Sequence, residues 1–468
     1  MSNSSESFIA KSALKSSDLE HRRKINFNIG KYNATVVQGK KQFEDLNLAR
    51  ERAKNIKWKA IENLDQYLEE FETQFTKRGG KVIWAEDSAQ AIEEILSICK
   101  EKNCKTLVKS KSMATEEIHL NHALENNGIE SIETDLGEYI QQLDGEPPYH
   151  IVTPAMHKSK EDVAKLFAEK LGTPPNLTPE ELTLVARNIL RKKYVEAEVG
   201  VTGANFIISE VTGANFIISD IGGIAITENE GNARLSCAFP KTHIVIVGIE
   251  KVIPSLNDLA LFWPLLSTFG TGQQMTVYNT IVTGPRQHNE TDGPEEMVVI
   301  LLDNNRTEIL NNPKQRESLY CIRCGACLNA CPIYKNVGGH TYGTTYSGPI
   351  GSVISPHLQG MNEFKHLSNA SSLCGNCTEV CAVKINLHEL LLENRSEAVD
   401  KGLADLSEKI AWKAWRVASM HRMLMNTASG KLKNKIVNKI FTSWNRTRGD
   451  LNFSEKTFNQ LWKERHKK

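Results

Sequence analysis

Apolar and polar positions alternate with two different periods along the chain of 468 residues. Over residues 46–75, Leu48, Ala49, Ala53, Ile56, Ala60, Ile61, Leu64, Leu68 and Phe71 recur at steps of three and four, which predicts one long amphipathic helix stopped by Gly79-Gly80. Beyond that stop, short β-rich runs alternate with helical stretches. Residues 81–85, 105–109, 129–133 and 150–153 read as strands, with helices over 88–100, 115–126, 136–143 and 160–171. Later strands are expected over 214–219, 223–227, 243–247 and 276–283. Strands joined through helices imply right-handed crossovers and a mostly parallel sheet, so this part of the chain is expected to be a layered α/β domain.

The flanks differ. Residues 1–45 are polar, rich in Ser, Asn and Lys, and are expected to form a loosely docked arm. Residues 303–318 are polar, contain Pro313 and suit a linker. Helical patterning returns from Leu387, with Trp412, Trp415, Trp444 and Trp462. Within the α/β region, VTGANFIISE (201–210) is followed at once by VTGANFIISD (211–220), identical at nine of ten positions. The unit is too short for a solenoid. An even length preserves the two-sided alternation of a strand, so an extended strand pair is one reading. The preferred one is an in-frame duplication accommodated as a lengthened hairpin or loop.

Lys and Arg number 57 against 56 Asp and Glu, a net charge of +1 that gives no reason to expect nucleic-acid binding. The charge is unevenly spread: residues 401–468 hold 16 basic against 5 acidic side chains. This basic tail reads first as a helical cap with solvated lysines. The alternative is contact with acidic partners or anionic lipid through Lys431, Lys433, Lys435 and Lys439, with Trp at the interface. No apolar run approaches the ~20 residues of a membrane span, and no secretory signal is visible. A reducing cytoplasm is therefore expected. Ten cysteines, seven of them within 321–381, point there to metal binding rather than disulfides.

Those seven carry the chemistry. Cys321-x2-Cys324-x2-Cys327-x3-Cys331-Pro332 has the spacing of bacterial ferredoxins, in which three cysteines hold one [4Fe–4S] cube and the fourth serves a neighbour. Cys374-x2-Cys377-x3-Cys381 supplies a second group. Reciprocal sharing assigns Cys321, Cys324, Cys327 and Cys381 to cluster one, and Cys331, Cys374 and Cys377 to cluster two. Cluster two is one thiolate short. It is then a [4Fe–4S] cube with a non-cysteine or open position, or a [3Fe–4S] centre, with His340, Tyr342 and Glu379 as candidate donors. A pair of zinc sites suits four cysteines packed so closely before a Pro less well. Cys99, Cys104 and Cys237 lack ligand spacing.

In parallel α/β sheets ligands gather at the carboxyl ends of strands. Lys109-Ser110-Lys111-Ser112, Glu133, Asp135, His157 and the run from Thr227 to Arg234 all follow expected strands and are expected to line one pocket. GxGxxG, GxxxxGK[ST] and GxSxG patterns are missing, so a nucleotide or serine-hydrolase site has no support.

The runs EAEVGVTGAN, SDIGGIAITENEGNARL, PKTHIVIVGIEKV, TGPR, CIRCGACLNACPIY, GGHTYGTTYSGPIG and SSLCGNCTEVCAVKINL together resemble the lactate-utilisation protein B family. The resemblance covers nearly the whole chain, although the family pattern has one VTGANFIIS segment and Ala382 replaces the usual ferredoxin Pro. It implies a LUD domain of the NagB/CoA-transferase-like α/β class over 46–302 and a double [4Fe–4S] ferredoxin-type helical domain over 303–395. A helical C-terminal extension over 396–468 follows. It further implies an iron–sulfur electron carrier that works with two sister proteins in oxidising L-lactate to pyruvate, rather than a stand-alone enzyme. The alternative makes the α/β domain an enzyme or sensor for a small carboxylate or acyl compound, with the clusters reporting redox state.

Overall fold

The computed structural model describes residues 3–204, 214–426, 429–440, 442 and 449–466. They fall into two compact units, 1–398 and 399–468.

The first unit is built on a ten-stranded sheet: β1 (Lys81–Ala85), β2 (Thr106–Lys109), β3 (Glu130–Glu133), β4 (Val199–Ala204), β5 (Ala214–Ile218), β6 (Gly223–Glu228), β7 (Thr242–Gly248), β8 (Val252–Ile253), β9 (Tyr278–Val282) and β10 (Glu296–Leu302). The main order is β1-β10-β7-β4-β5-β6-β9; β2 joins β4 to β3, and β8 pairs with β5. Among the described residues, all pairings are parallel except β5 with β6 and β6 with β9.

The central strands are apolar on both faces, as a sheet covered on both sides requires. Ile244, Ile246, Val298, Ile300 and Leu302 enter a core with Ala91 and Ile95 from the helix Ser88–Glu101. Their alternating neighbours Val245, Val247, Val299 and Leu301 enter a second core with Phe71 and Phe75 from the helix Leu64–Thr76. Phe71 and Phe75 are fully buried and stacked at 5.5 Å.

Several expectations need correction. Residues 46–75 form two helices, Leu46–Glu62 and Leu64–Thr76, because Asn63 leaves helical geometry and its side-chain N–H donates to Lys59 O at 2.9 Å, ending the first. The helix expected over 115–126 breaks at His119, which adopts φ 54°. Residues 150–153 form no strand: Nδ1 of His150 accepts the backbone N–H groups of Val152 and Thr153, bending the chain into a buried loop. Strand β10 and the helix Pro179–Glu196 lie outside the expected elements, and β4 takes in the start of the first repeat copy, where an extended strand pair is one of the two readings.

The polar N-terminal arm is also ordered, as helices α1 (Asn3–Ser17) and α2 (Leu19–Gly39). Asp18 caps α2 by accepting His21 N–H at 3.0 Å, and Ile25 and Ile29 are buried in the core of the unit. Residues 303–318 are no slack linker, since they include the helix Arg306–Asn311, and Arg306 and Gln315 are buried. The tandem repeat meets the sheet at both ends, with Ala204 of β4 paired in parallel to Ala214 of β5. The expected lengthened hairpin or loop falls largely on 205–213, outside the described residues.

The second unit contains the helices Leu406–Met420, Arg422–Asn426, Gly430–Ile440 and Phe458–Arg465. Among its described residues no large apolar side chain is buried, and Trp412, Trp415 and Trp462 are exposed. No described helix in the protein is long and apolar enough to cross a membrane.

Candidate iron–sulfur site

The cysteine region folds as short helices opened by glycine. In Cys324-Gly325-Ala326-Cys327 and again in Cys374-Gly375-Asn376-Cys377, the glycine has φ near +75° (75° and 78°) and starts a helix of about one turn. A Cβ on Gly325 would also lie 2.6 Å from Val152 Cγ2, so the buried loop around His150 closes directly over this turn. Pro332 follows Cys331 at the first position of the helix Pro332–Val337, where its missing N–H costs nothing.

Cys321, Cys324, Cys327 and Cys381 line one enclosed cavity with Ile322, Ile350, Val383 and Leu387. Each of the thiols of Cys324, Cys327 and Cys381 lies within the electrostatic reach of Cys321. Cys331, Cys374 and Cys377 form the other neighbourhood, and Cys327 bears on Cys377 across the two. Burial pushes the Cys324 and Cys381 thiols up to about 12 and Cys377 up to about 11. Bare thiolates are thus disfavoured there. Backbone N–H groups already face sulfur: Arg323 N donates to Cys321 Sγ and Ile385 N to Cys381 Sγ, both at 3.3 Å. Soft donors, an apolar wall and N–H···S contacts fit an iron–sulfur cluster. Cys374 alone of the seven is exposed.

The three candidate donors for cluster two part company. Tyr342 is fully buried beside Cys331 and Cys327. His340 instead hydrogen-bonds Pro147 O at 2.7 Å and sits with His157 and Glu146. Glu379 is exposed.

The polar residues of the α/β body do not form the single pocket expected. Lys109 Nζ is buried and engaged by Thr115 Oγ1 at 2.9 Å, Glu116 at 2.8 Å and Glu133 at 2.6 Å. Lys111 Nζ donates to Val152 O at 3.3 Å and lies 3.8 Å from Glu138. Asp135 caps the helix Leu136–Asp144. His157 pairs with Glu146 at 3.0 Å, in a different place. Glu228 accepts the N–H groups of Ala233 and Arg234 and so closes its own loop, with burial pushing its carboxyl up to about 7. Glu230 and Asn232 do line a crevice of about 640 Å³, together with Thr134, Arg187, Arg191 and Tyr194.

Sequence reasoning missed the charged residues packed behind Cys321. Lys57, Lys251, Arg306, Arg323, Glu117 and Glu250 are all buried there. Only Arg323 carried a local signal, through its place between Cys321 and Cys324. Burial pushes Lys57 down to about 7 and Lys251 down to about 8. Glu250 is raised by burial, but Arg306, Lys251 and Arg323 together hold it well below the usual carboxylate range.

Fold and thiols together define an α/β protein joined to an iron–sulfur module. Residues 68–211 and 211–302 match the LUD domain, and residues 317–385 match the 4Fe-4S dicluster domain. The LUD match divides at Val211, where the second repeat copy begins. The chain is 47% identical over 382 residues to lactate utilization protein B of Bacillus velezensis, covering 81% of this chain and 78% of that protein. It is 46% identical to the protein of the same name from Bacillus subtilis, covering again 81% and 78%. A DUF162 family protein from Deinococcus radiodurans, 12% identical, aligns with 51% of this chain and 98% of its own at a TM-score of 0.29. The chain belongs to the lactate utilization protein B family.

Proposed function

We propose that the chain is the iron–sulfur electron-transfer subunit of a three-protein cytoplasmic system that oxidises L-lactate to pyruvate. The observation that carries this reading is the gathering of seven cysteines into two adjoining groups, one enclosed and one reaching the surface at Cys374. Residues 46–302 would serve as the LUD body, 303–395 as the dicluster module and 396–468 as a helical extension. Cys321, Cys324, Cys327 and Cys381 would hold one [4Fe–4S] cluster. Cys331, Cys374 and Cys377 would hold the second, a cube with a non-cysteine fourth position or a [3Fe–4S] centre; of the three candidate donors, Tyr342 is the buried one beside Cys331.

Each bound cluster supplies one-electron chemistry. Oxidation of lactate to pyruvate releases two electrons, which would match two one-electron centres, one held by each cysteine group. The chain's own residues hold the thiolates, exclude water from the inner cavity through Ile322, Ile350 and Val383, and donate backbone N–H groups to sulfur. The exposed Cys374 side offers the approach for a partner. The test is anaerobic reconstitution followed by L-lactate, with and without the two sister subunits. Cluster reduction that requires the sister subunits is expected; reduction by lactate without them would overturn the carrier role.

The crevice lined by Arg187, Arg191, Thr134 and Tyr194 favours a second reading, in which the α/β domain binds a small carboxylate or acyl compound. Turnover of such an acid by a chain lacking the cluster cysteines would favour it.

A further inference from the structure

Six ionisable side chains meet in the interior behind Cys321, each no more than 4% exposed. Glu117 accepts Nη1 and Nη2 of Arg306, both at 2.9 Å. Glu250 pairs with Arg306 Nε at 2.6 Å, Lys251 Nζ at 3.1 Å and Arg323 Nη2 at 3.6 Å. Lys57 Nζ reaches backbone oxygens instead, donating to Glu250 O at 2.6 Å and Val252 O at 3.2 Å. Two carboxylates therefore answer two guanidinium and two lysine side chains. The Arg323 guanidinium lies over the Tyr346 ring at 4.6 Å, and its Nε and Nη1 have no hydrogen-bond partner among the described residues.

Excess buried cation is costly unless an anion compensates it. The anion at hand is the thiolate set. Lys251 Nζ donates to Cys321 O at 3.2 Å, and the Arg323 backbone N–H faces Cys321 Sγ. Arg50 adds a fifth cation from another side, donating to Cys381 O from Nε at 3.0 Å and Nη2 at 2.8 Å. The second cysteine group has a different setting: Lys335 is the cation that bears on Cys331, it is only half-buried, and Cys374 is exposed.

We propose that this cation-rich interior makes the cluster of Cys321, Cys324, Cys327 and Cys381 the more easily reduced of the two, so that an electron entering the module comes to rest there. The inference rests on the ligand sets proposed above. Reduction adds one electron, hence one negative charge, supplied by the donor side of lactate oxidation or by dithionite in a titration. No bond need form or break. A fixed positive charge nearby stabilises the reduced state more than the oxidised one. Coulomb interaction grows at short range and low dielectric and is screened where water and salt enter. The network therefore acts on the enclosed cluster and little on the one at the surface. Lys251, Lys57, Arg323 and Glu250 are positioning residues for the electron rather than cluster ligands.

The test is a potentiometric titration followed by EPR on the reconstituted full chain, with the enclosed cluster identified as the signal altered by Cys381→Ser. In the unmodified chain that signal is expected to reduce first. Lys251→Met and Lys57→Met should each lower its midpoint, Glu250→Gln should raise it, and the other cluster should stay where it was. Lys57, which bonds no cysteine, carries the test if Lys251→Met loses iron. The inference is overturned if the Cys331 cluster reduces first, or if at full iron content both midpoints move together or neither moves. A chain that holds no reducible iron at all would instead sink the electron-carrier reading.

Discussion

Cys381 enters the same cavity as Cys321, Cys324 and Cys327 although it is remote from them in sequence. Replacing it with Ser should cut iron per chain roughly in half if each group holds one cluster of ordinary type. Retention of full iron content, measured with acid-labile sulfide, would show that Cys381 is not a ligand. The cysteines were legible because ligand spacing is a local property of sequence. The charges behind Cys321 were not, since Lys57, Glu117, Glu250 and Arg306 come from four separate segments and acquire meaning only when packed together.

A buried histidine gives a second residue-scale expectation. His243 is fully buried beside Thr202 Oγ1 at 2.9 Å, and burial pushes its pKa down from 6.5 to about 3. The folded chain thus keeps it neutral where the unfolded chain takes up a proton. Stability from this group is present above about pH 6.5 and is lost as pH falls towards about 3. The loss is on the order of a few kcal/mol. Denaturation midpoints between pH 7 and pH 4 should fall less steeply in His243→Gln; an unchanged slope would contradict this.

At the scale of elements, strong periodicity translated well and sparse periodicity did not. The strand readings over 81–85, 105–109 and 129–133 correspond to β1, β2 and β3. In α2 the apolar stripe is thin, chiefly Ile25 and Ile29 among polar residues, so propensity alone gives little sign of a helix that tertiary docking holds in place. Thr35 Oγ1 donates to Thr271 O at 2.7 Å, and a Cβ on Gly39 would lie 2.4 Å from Gly272 O, which shows how closely the helix sits. Ile29→Ala should therefore cost about 2–5 kcal/mol, as expected for a truncated core side chain. A loosely docked arm would lose almost nothing in the same denaturation experiment. The break at Asn63 was hidden for a different reason: apolar spacing continues across it, and only the side-chain bond to Lys59 O ends the helix.

For the whole molecule, the layered α/β class, the LUD body and the iron–sulfur module were readable because each rests on a long pattern or a dense motif. The order of strands was not, since β10 reaches its place between β1 and β7 through pairings distant in sequence. The body spreads its apolar strands across two cores, whereas the 399–468 unit buries no large apolar side chain among the described residues. Only the first unit contains the seven clustered cysteines. The proposed electron-carrying role thus depends on what those cysteines hold. The most direct measurement is iron and acid-labile sulfide per anaerobically reconstituted full chain, combined with EPR before and after dithionite. About eight irons are predicted for two cubes, or about seven for a cube with a three-iron centre, with dithionite adding one electron to each cluster. Zinc without sulfide, or iron that stays in one valence under reductant, would contradict the account.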